Sequence, residues 1–153
     1  MLHTIPVKIK KLHPDAIVPK YQSAGAACFD LHAVEDVDGN GAWLVIGTGL
    51  AFEIPPGYVM KIYSRSGHGF NHGIRLANCV GVIDSDFRGE VKVKLVFDAL
   101  WQDGQASQRI WHFKRGDRIA QAMIEAAPRA EFEVVKELGE TKRGAGGFGS
   151  TGA

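Results

Sequence analysis

Apolar and polar residues alternate with a period of two along much of the chain. The clearest stretch interleaves Val91, Val93, Leu95 and Phe97 with Lys92, Lys94 and Val96, the pattern of a strand with one buried face. Val7 and Ile9 alternate with Lys8 and Lys10 in the same way, and short runs of strand character occupy 43–46, 58–63, 108–113, 118–124 and 132–138. Turn chemistry separates these runs: Asp38-Gly39-Asn40-Gly41, Pro55-Pro56-Gly57, Arg88-Gly89, Asp103-Gly104 and Arg115-Gly116-Asp117. No long stretch keeps a helical apolar stripe, and there is no internal repeat. Several short strands at regular spacing predict an all-β sandwich, jelly roll or barrel, with room for one short helix inside a loop.

Length and charge narrow the class. A chain of 153 residues makes one domain. Its 45% hydrophobic and 23% charged residues are the balance of an ordinary globular protein. A net charge of +1 supplies no field for holding nucleic acid or an anionic membrane. No apolar run is long enough for a membrane span. Residues 1–12 hold Lys8, Lys10 and Lys11 but no apolar core, so no secretory signal is expected. Cys28 and Cys79 then read as reduced core thiols of a cytoplasmic protein. Glycine is the outlier, 19 of 153 residues, about 12% against the usual ~7%.

The glycines gather in segments with anion-binding chemistry. Residues 64–69 read SRSGHG, where backbone amides, the Arg65 guanidinium and the Ser66 hydroxyl around Gly67 make either a phosphate site or a solvated turn. Residues 81–90 read GVIDSDFRGE. Asp84 is there a carboxylate at a hairpin's edge, able to take a proton from water. Asp86 and Arg88 either pair with each other or cap the turn. Residues 116–121 read GDRIAQ, and strict alternation sends Arg118 and Gln121 to opposite faces of a strand, both at the surface. Residues 143–152 read RGAGGFGSTG, with too little apolar side chain to form a core element. That segment is either a disordered tail or an arm that orders on a ligand. The histidines show no metal spacing, since His68 and His72 lie four apart in a glycine-rich turn rather than a helix. Trp101 and Trp111 bracket a polar loop and read as packing residues. The chain carries no nucleophilic serine or cysteine motif and no Walker-type loop. These residues point to a phosphorylated ligand without naming it.

Five segments, in this order, resemble the trimeric dUTP diphosphatase (dUTPase) family: AGAACFDL (24–31), SRSGHGF (64–70), ANCVGVIDSDFRGE (77–90), GDRIAQAMI (116–124) and RGAGGFGSTG (143–152). They cover about residues 5–152, and the third and fifth are the most specific. The resemblance implies an all-β, jelly-roll-like (β-clip) subunit of a homotrimer, with active sites at subunit boundaries. It implies Mg²⁺-dependent attack of water on the α-phosphate of dUTP, releasing dUMP and pyrophosphate, which keeps uracil out of DNA and supplies dUMP for thymidylate synthesis.

By the same resemblance Asp84 is the general base, and Asn78 with the backbone of the following hairpin reads uracil. Phe87 is the ring under the deoxyribose. Arg65, Ser66, Gly67 and Gln121 contact phosphates. Asp30 lies beside the water and metal region and meets Mg²⁺ through water, the metal being held mainly by the triphosphate. Residues 1–142 are the β domain, and 143–153 are a flexible arm that closes over the site with Arg143, Phe148, Gly149, Ser150 and Thr151. The chemistry agrees with those roles. A triphosphate carries about four negative charges, which a divalent cation must spread before a nucleophile approaches. Uracil presents acceptor, donor and acceptor along one edge, and mismatched buried polar groups refuse cytosine by roughly 10⁴.

Four positions depart from the family pattern. Ser64 replaces a usual proline, which alters turn stiffness. Cys28-Phe29 replaces glycine plus an apolar residue. Phe87 replaces the commoner tyrosine and loses a phenolic hydrogen bond. Residues 99–113 form a longer loop that offers a surface for a protein partner. Two rivals remain. A dCTP deaminase-type or bifunctional enzyme of this fold needs a glutamate five residues beyond Gly89, where this chain has Lys94. A nucleotide-gated protein-binding module would need no turnover. Pyrophosphate release from dUTP, and none from dCTP or dTTP, separates the three.

Overall fold

The computed structural model describes residues 4–98 and 109–147. Among them are eleven strands: β1 (Lys8–Lys11), β2 (Phe29–His32), β3 (Val37–Gly41), β4 (Trp43–Gly47), β5 (Leu50–Glu53), β6 (Tyr58–Tyr63), β7 (Ile74–Leu76), β8 (Val80–Ile83), β9 (Lys92–Phe97), β10 (Arg109–Phe113) and β11 (Arg118–Ala126). One helix, α1 (Ser66–His72), follows β6. The protein is therefore all-β, as the period-two runs predict. No helix among the described residues is long and apolar enough to cross a membrane.

All ladders are antiparallel. The strands lie in a four-stranded sheet ordered β2-β11-β6-β8, a three-stranded sheet ordered β4-β9-β7, and the pairs β1-β5 and β3-β10. Alternate side chains from these sheets meet in one core. β9 sends Val93 and Leu95 inward while Lys92 and Lys94 stay in water; β6 contributes Met60 and Ile62, β4 Ile46, and β11 Ile119, Ala120 and Ala122. Trp111 is fully buried and donates its indole N–H to the Gly41 carbonyl at 2.8 Å, so this tryptophan is a packing residue. Burying a large side chain stabilises the fold by about 1.5–3 kcal/mol.

Where β9 begins, the buried Thr48 hydroxyl donates to the Val91 carbonyl (2.7 Å) and accepts the Leu50 N–H (3.2 Å). The Glu90 carboxylate accepts the Gly49 N–H at 3.0 Å. A side chain at Gly47 would approach that carboxylate to 2.5 Å, so glycine leaves it room.

Several sequence expectations are corrected. Asp38-Gly39-Asn40-Gly41 is not a turn: it lies within β3, where Asn40 faces Ile110 and Asp38 faces His112 across the ladder. The chain bends at Ala42, whose carbonyl accepts the Phe97 N–H, and passes from the β3-β10 pair into the three-stranded sheet. Glycines and polar residues are tolerated in this strand because it is largely exposed. The 81–90 segment is not a hairpin: β8 pairs with β6, while β9 pairs with β4 and β7, so the segment carries the chain from one sheet to the other.

Residues 132–138 form no strand; Phe132, Val134 and Leu138 are at least 86% exposed, and no ladder among the described residues receives them. SRSGHG opens α1 rather than a turn, so His68 and His72 are helical, although no group of three or more metal-ligating side chains forms among the described residues. Cys28 is only half-buried and Cys79 is exposed, so neither is a core thiol; both are free. Trp101 and the 103–104 turn lie outside the described residues.

Candidate active site

β2, β11 and β6 run side by side, and their register brings the first group of residues together. Gln121 of β11 stands opposite both Asp30 of β2 and Tyr63 of β6. Paired residues share a face of the sheet, so Asp30, Gln121 and Tyr63 form one row. Just past Tyr63, the Arg65 guanidinium turns back to Asp30, with Nε 3.0 Å from Oδ1. The Asp30 side chain is 10% exposed and that of Arg65 is 22%. Arg118 Nη1 lies 3.5 Å from the other carboxylate oxygen. Arg65 Nη1 donates to the Arg118 carbonyl (3.4 Å), and the same carbonyl accepts from His68 Nε2 (2.7 Å). The Gln121 amide donates to the Ser64 carbonyl at 2.9 Å.

Strict alternation would send Arg118 and Gln121 to opposite faces. The structure puts them on the same face. Arg118 pairs with His32 and Gln121 with Asp30, two residues apart on β2, because the register shifts between Arg118 and Ala120. A bulge inserts one residue on one strand only, which converts an odd spacing into an even one. Arg118 and His68 are thus members of the cluster that sequence reasoning missed. A bulge leaves no mark in an apolar run, and a histidine beside glycines carries no signal of its carbonyl partner.

His32 borders this cluster. Burial holds its imidazole below the ordinary histidine range, the Arg118 and Arg65 guanidiniums push the same way, and Asp30 opposes them. Its Nδ1 is buried without a hydrogen-bond partner among the described residues. Burial, and less strongly the Asp30 carboxylate, raise the Cys28 thiol above its ordinary range, which favours the protonated form.

Arg65 is the residue before α1, in an extended conformation with no side-chain cap. The first N–H groups of a helix have no intrahelical acceptor, so Ser66 and Gly67 present open donors next to the held guanidinium. Both are exposed.

A second group sits on the connections flanking β8. After β7 the Cys79 N–H bonds the Leu76 carbonyl (3.3 Å), and the Val80 N–H bonds the Asn78 carbonyl (2.6 Å). This closes a three-residue turn around Cys79, the one non-glycine with positive φ (60°) among the described residues. Asn78 is exposed at its tip. After β8, Asp84 is exposed and makes no ion pair among the described residues, while its carbonyl accepts the Phe87 N–H at 3.2 Å. Arg88 does not pair with Asp86; it donates to the carbonyls of Ser85 (2.6 Å) and Phe87 (3.0 Å), capping the turn that the Phe87 N–H closes on Asp84. The Phe87 ring is 43% exposed and lies over Gly89, where an added Cβ would stand 2.6 Å from the ring. Gly89 is the seat that lets the ring lie flat.

Within one chain Asp84 and Phe87 lie far from the Arg65 group, whereas Asn78, two residues before Val80, lies at the Arg65 end of β6. β8 runs antiparallel to β6 with Val80 beside Tyr63 and Ile83 beside Met60, so Asp84 lies near the start of β6 and Arg65 beyond its end. At about 3.3 Å per residue this separates them by roughly 20 Å. Of the 143–152 segment, Arg143 is exposed and donates to the Gly146 carbonyl (2.7 Å). Phe148, Gly149, Ser150 and Thr151 lie outside the described residues.

Held guanidinium, open backbone donors, an unpaired carboxylate and an exposed ring, carried on the antiparallel sheets of a β protein, are groups whose chemistry suits a phosphorylated ligand. The dUTPase family model matches residues 14–152, and the chain belongs to that family. It is 50% identical to the deoxyuridine 5'-triphosphate nucleotidohydrolase of Nautilia profundicola, over 95% of this chain and 98% of that one. It is 46% identical to the enzyme of the same name from Helicobacter hepaticus, over 99% and 92%. Among solved structures it is similar to the dUTPase of Staphylococcus bacteriophage 80alpha with dUPNHPP, with a TM-score of 0.84 and 25% identity over 98% of this chain and all of that one.

Proposed function

We propose that this protein hydrolyses dUTP to dUMP and pyrophosphate. The observation that carries the reading is an exposed carboxylate, Asp84, free of ion pairs among the described residues and standing in the segment GVIDSDFRGE that resembles the family's third motif, three residues before the exposed Phe87. A water held by Asp84 attacks the α-phosphorus as its proton passes to the carboxylate. The bond from the α-phosphorus to the bridging oxygen breaks, and pyrophosphate leaves. Phe87 lies under the deoxyribose and crowds a 2′-hydroxyl, and Asn78 reads the uracil edge. Arg65, the N–H groups of Ser66 and Gly67, and Gln121 receive the phosphates. Asp30 acts through Arg65, fixing the guanidinium so that no reorganisation is needed when charge develops.

The donor set fits a cation that arrives on the substrate. No group of three or more ligating side chains forms among the described residues, and both Asp30 oxygens face guanidiniums. Mg²⁺ bound to the triphosphate, with Asp30 at hand through a water, would spread the phosphate charge.

The working unit in this reading is a homotrimer. A nucleotide cannot bridge roughly 20 Å between Arg65 and Asp84 of one chain, so each site combines groups from different subunits. The unpaired, exposed apolar segment 132–138 supports the same conclusion, because such a surface needs covering. Residues 1–142 form the β domain and 143–153 the arm, with Arg143 as its first donor to the triphosphate. The deaminase reading finds Lys94 on β9, its ammonium 4.3 Å from the Trp43 ring centre, where that chemistry needs a carboxylate. We place the activity in the cytoplasm, where free Cys28 and Cys79 stay reduced.

The test is pyrophosphate release with Mg²⁺ from dUTP, dCTP and dTTP. Release from dUTP alone is expected, and Asp84→Asn should lower it by at least ~10²-fold with binding retained. Near-normal turnover in that variant means that another group activates the water.

A further inference from the structure

Ser64 follows the last ladder residue of β6 and belongs to no sheet. Its carbonyl accepts the Gln121 amide at 2.9 Å, and its hydroxyl oxygen accepts the Leu76 N–H at 2.9 Å. The second bond spans two sheets, because among the described residues β7 pairs with β9 alone while β6 lies in the four-stranded sheet. On that ladder Asp98 N–H bonds Gly73 and Ala77 N–H bonds Lys94. Antiparallel bonding alternates along a strand, so the residue between such positions turns its N–H away from the partner. Leu76 is that residue. It is 2% exposed, and Ser64 supplies the acceptor for its outward N–H.

Leu76 is also the first residue of the turn that carries Asn78. That turn is held by two backbone bonds, one at 2.6 Å and one at 3.3 Å, and keeps Cys79 in a sparsely populated conformation. A strained turn stays in place only where its surroundings over-determine it. Two side chains hold its base: the Ser64 hydroxyl accepts the Leu76 N–H across the sheets, and the Arg75 guanidinium donates to the Leu76 carbonyl at 3.2 Å from the same strand.

We propose that Ser64 is a positioning residue for base selection, its hydroxyl setting the 76–80 turn, and with it Asn78, against the end of β6. The proposal rests on the reading of Asn78 as the group that meets uracil. It gives the serine a task that a proline at this position has no hydroxyl to perform. Gln121, bonded to the same residue's carbonyl, ties that end of β6 to the candidate phosphate residues, so one residue sets the turn and the start of the Arg65–Gly67 segment.

The test compares kcat/KM for dUTP with that for dCTP in the full-length protein. Ser64→Ala leaves the buried Leu76 N–H unpaired, and the dUTP-over-dCTP ratio should fall about tenfold, mainly through a higher KM for dUTP. Ser64→Thr keeps the hydroxyl and should restore the ratio. Ser64→Cys, nearly the same size with a weaker acceptor, should fall between them and serves if the alanine variant does not fold. A lower Tm with an unchanged ratio overturns the proposal, because a purely structural bond does not alter base choice. Asn78→Ala measured alongside separates two failures. If it lowers the ratio while the Ser64 variants do not, the Ser64 role is wrong and the base site stands. If it leaves the ratio unchanged, the base-site reading fails and the proposal with it.

Discussion

Replacing Asp30 by asparagine keeps the size of the side chain and removes its charge beneath Arg65. At 3.0 Å the gross attraction between the two is on the order of 5 kcal/mol at an effective dielectric of about 20. Desolvation offsets much of that, and asparagine still offers one acceptor. Breaking a buried pair from one side costs about 3–5 kcal/mol. Here Arg65 retains some contact with water, and Arg118, at 3.5 Å and 50% exposed, adds less than about 1 kcal/mol. A loss of roughly 2 kcal/mol follows, or about 4–8 °C in Tm for a domain of this size.

The larger consequence is functional. Without the carboxylate the guanidinium samples other rotamers, and a tenfold rise in KM for dUTP is expected, about 1.4 kcal/mol of binding. The assays are thermal unfolding and pyrophosphate release over a range of dUTP concentrations. Because the pair is largely shielded from solvent, the Tm difference should persist at high salt. A variant with unchanged Tm and unchanged KM refutes the reasoning. A lower Tm with unchanged KM shows that Asp30 holds the sheet together without orienting Arg65 for substrate.

Gly89→Ala should push the Phe87 ring off its seat, because the new methyl would stand 2.6 Å from it; discrimination of dUTP over UTP should fall several-fold with Tm nearly unchanged, since both residues are exposed, and undiminished discrimination would show that the ring does not guard the sugar. His32→Gln reports on pH. Burial and two guanidiniums lower the folded His32 below its ordinary value, so the unfolded chain takes up the proton first. Stability is full above about pH 6.5 and is lost as pH falls through the lowered value. Tm should therefore decline less between pH 7.5 and about pH 5.5 in the glutamine variant, and identical slopes would overturn the assignment.

Most of the strands are legible in the chain as written. Alternation along 91–97, 58–63 and 118–124 marks β9, β6 and β11, because a strand's side chains point to opposite faces whatever the strand pairs with. Exposure of Asp84 and Asn78 follows equally from local turn chemistry. The same local rule misplaces 132–138, which alternates without finding a partner among the described residues, and Asp38–Gly41, whose turn-forming residues are absorbed into a ladder with β10.

What the tertiary structure decided is everything that depends on which strand lies beside which. An apolar face shows that a strand is covered and leaves the covering partner unnamed. The assignment of β8 and β9 to different sheets, the bulge that turns Arg118 toward Asp30, and the Ser64 hydroxyl beneath Leu76 each join residues between 12 and 88 positions apart. Such pairings are chosen by packing the whole core at once, and a periodicity read along one strand carries no record of that choice.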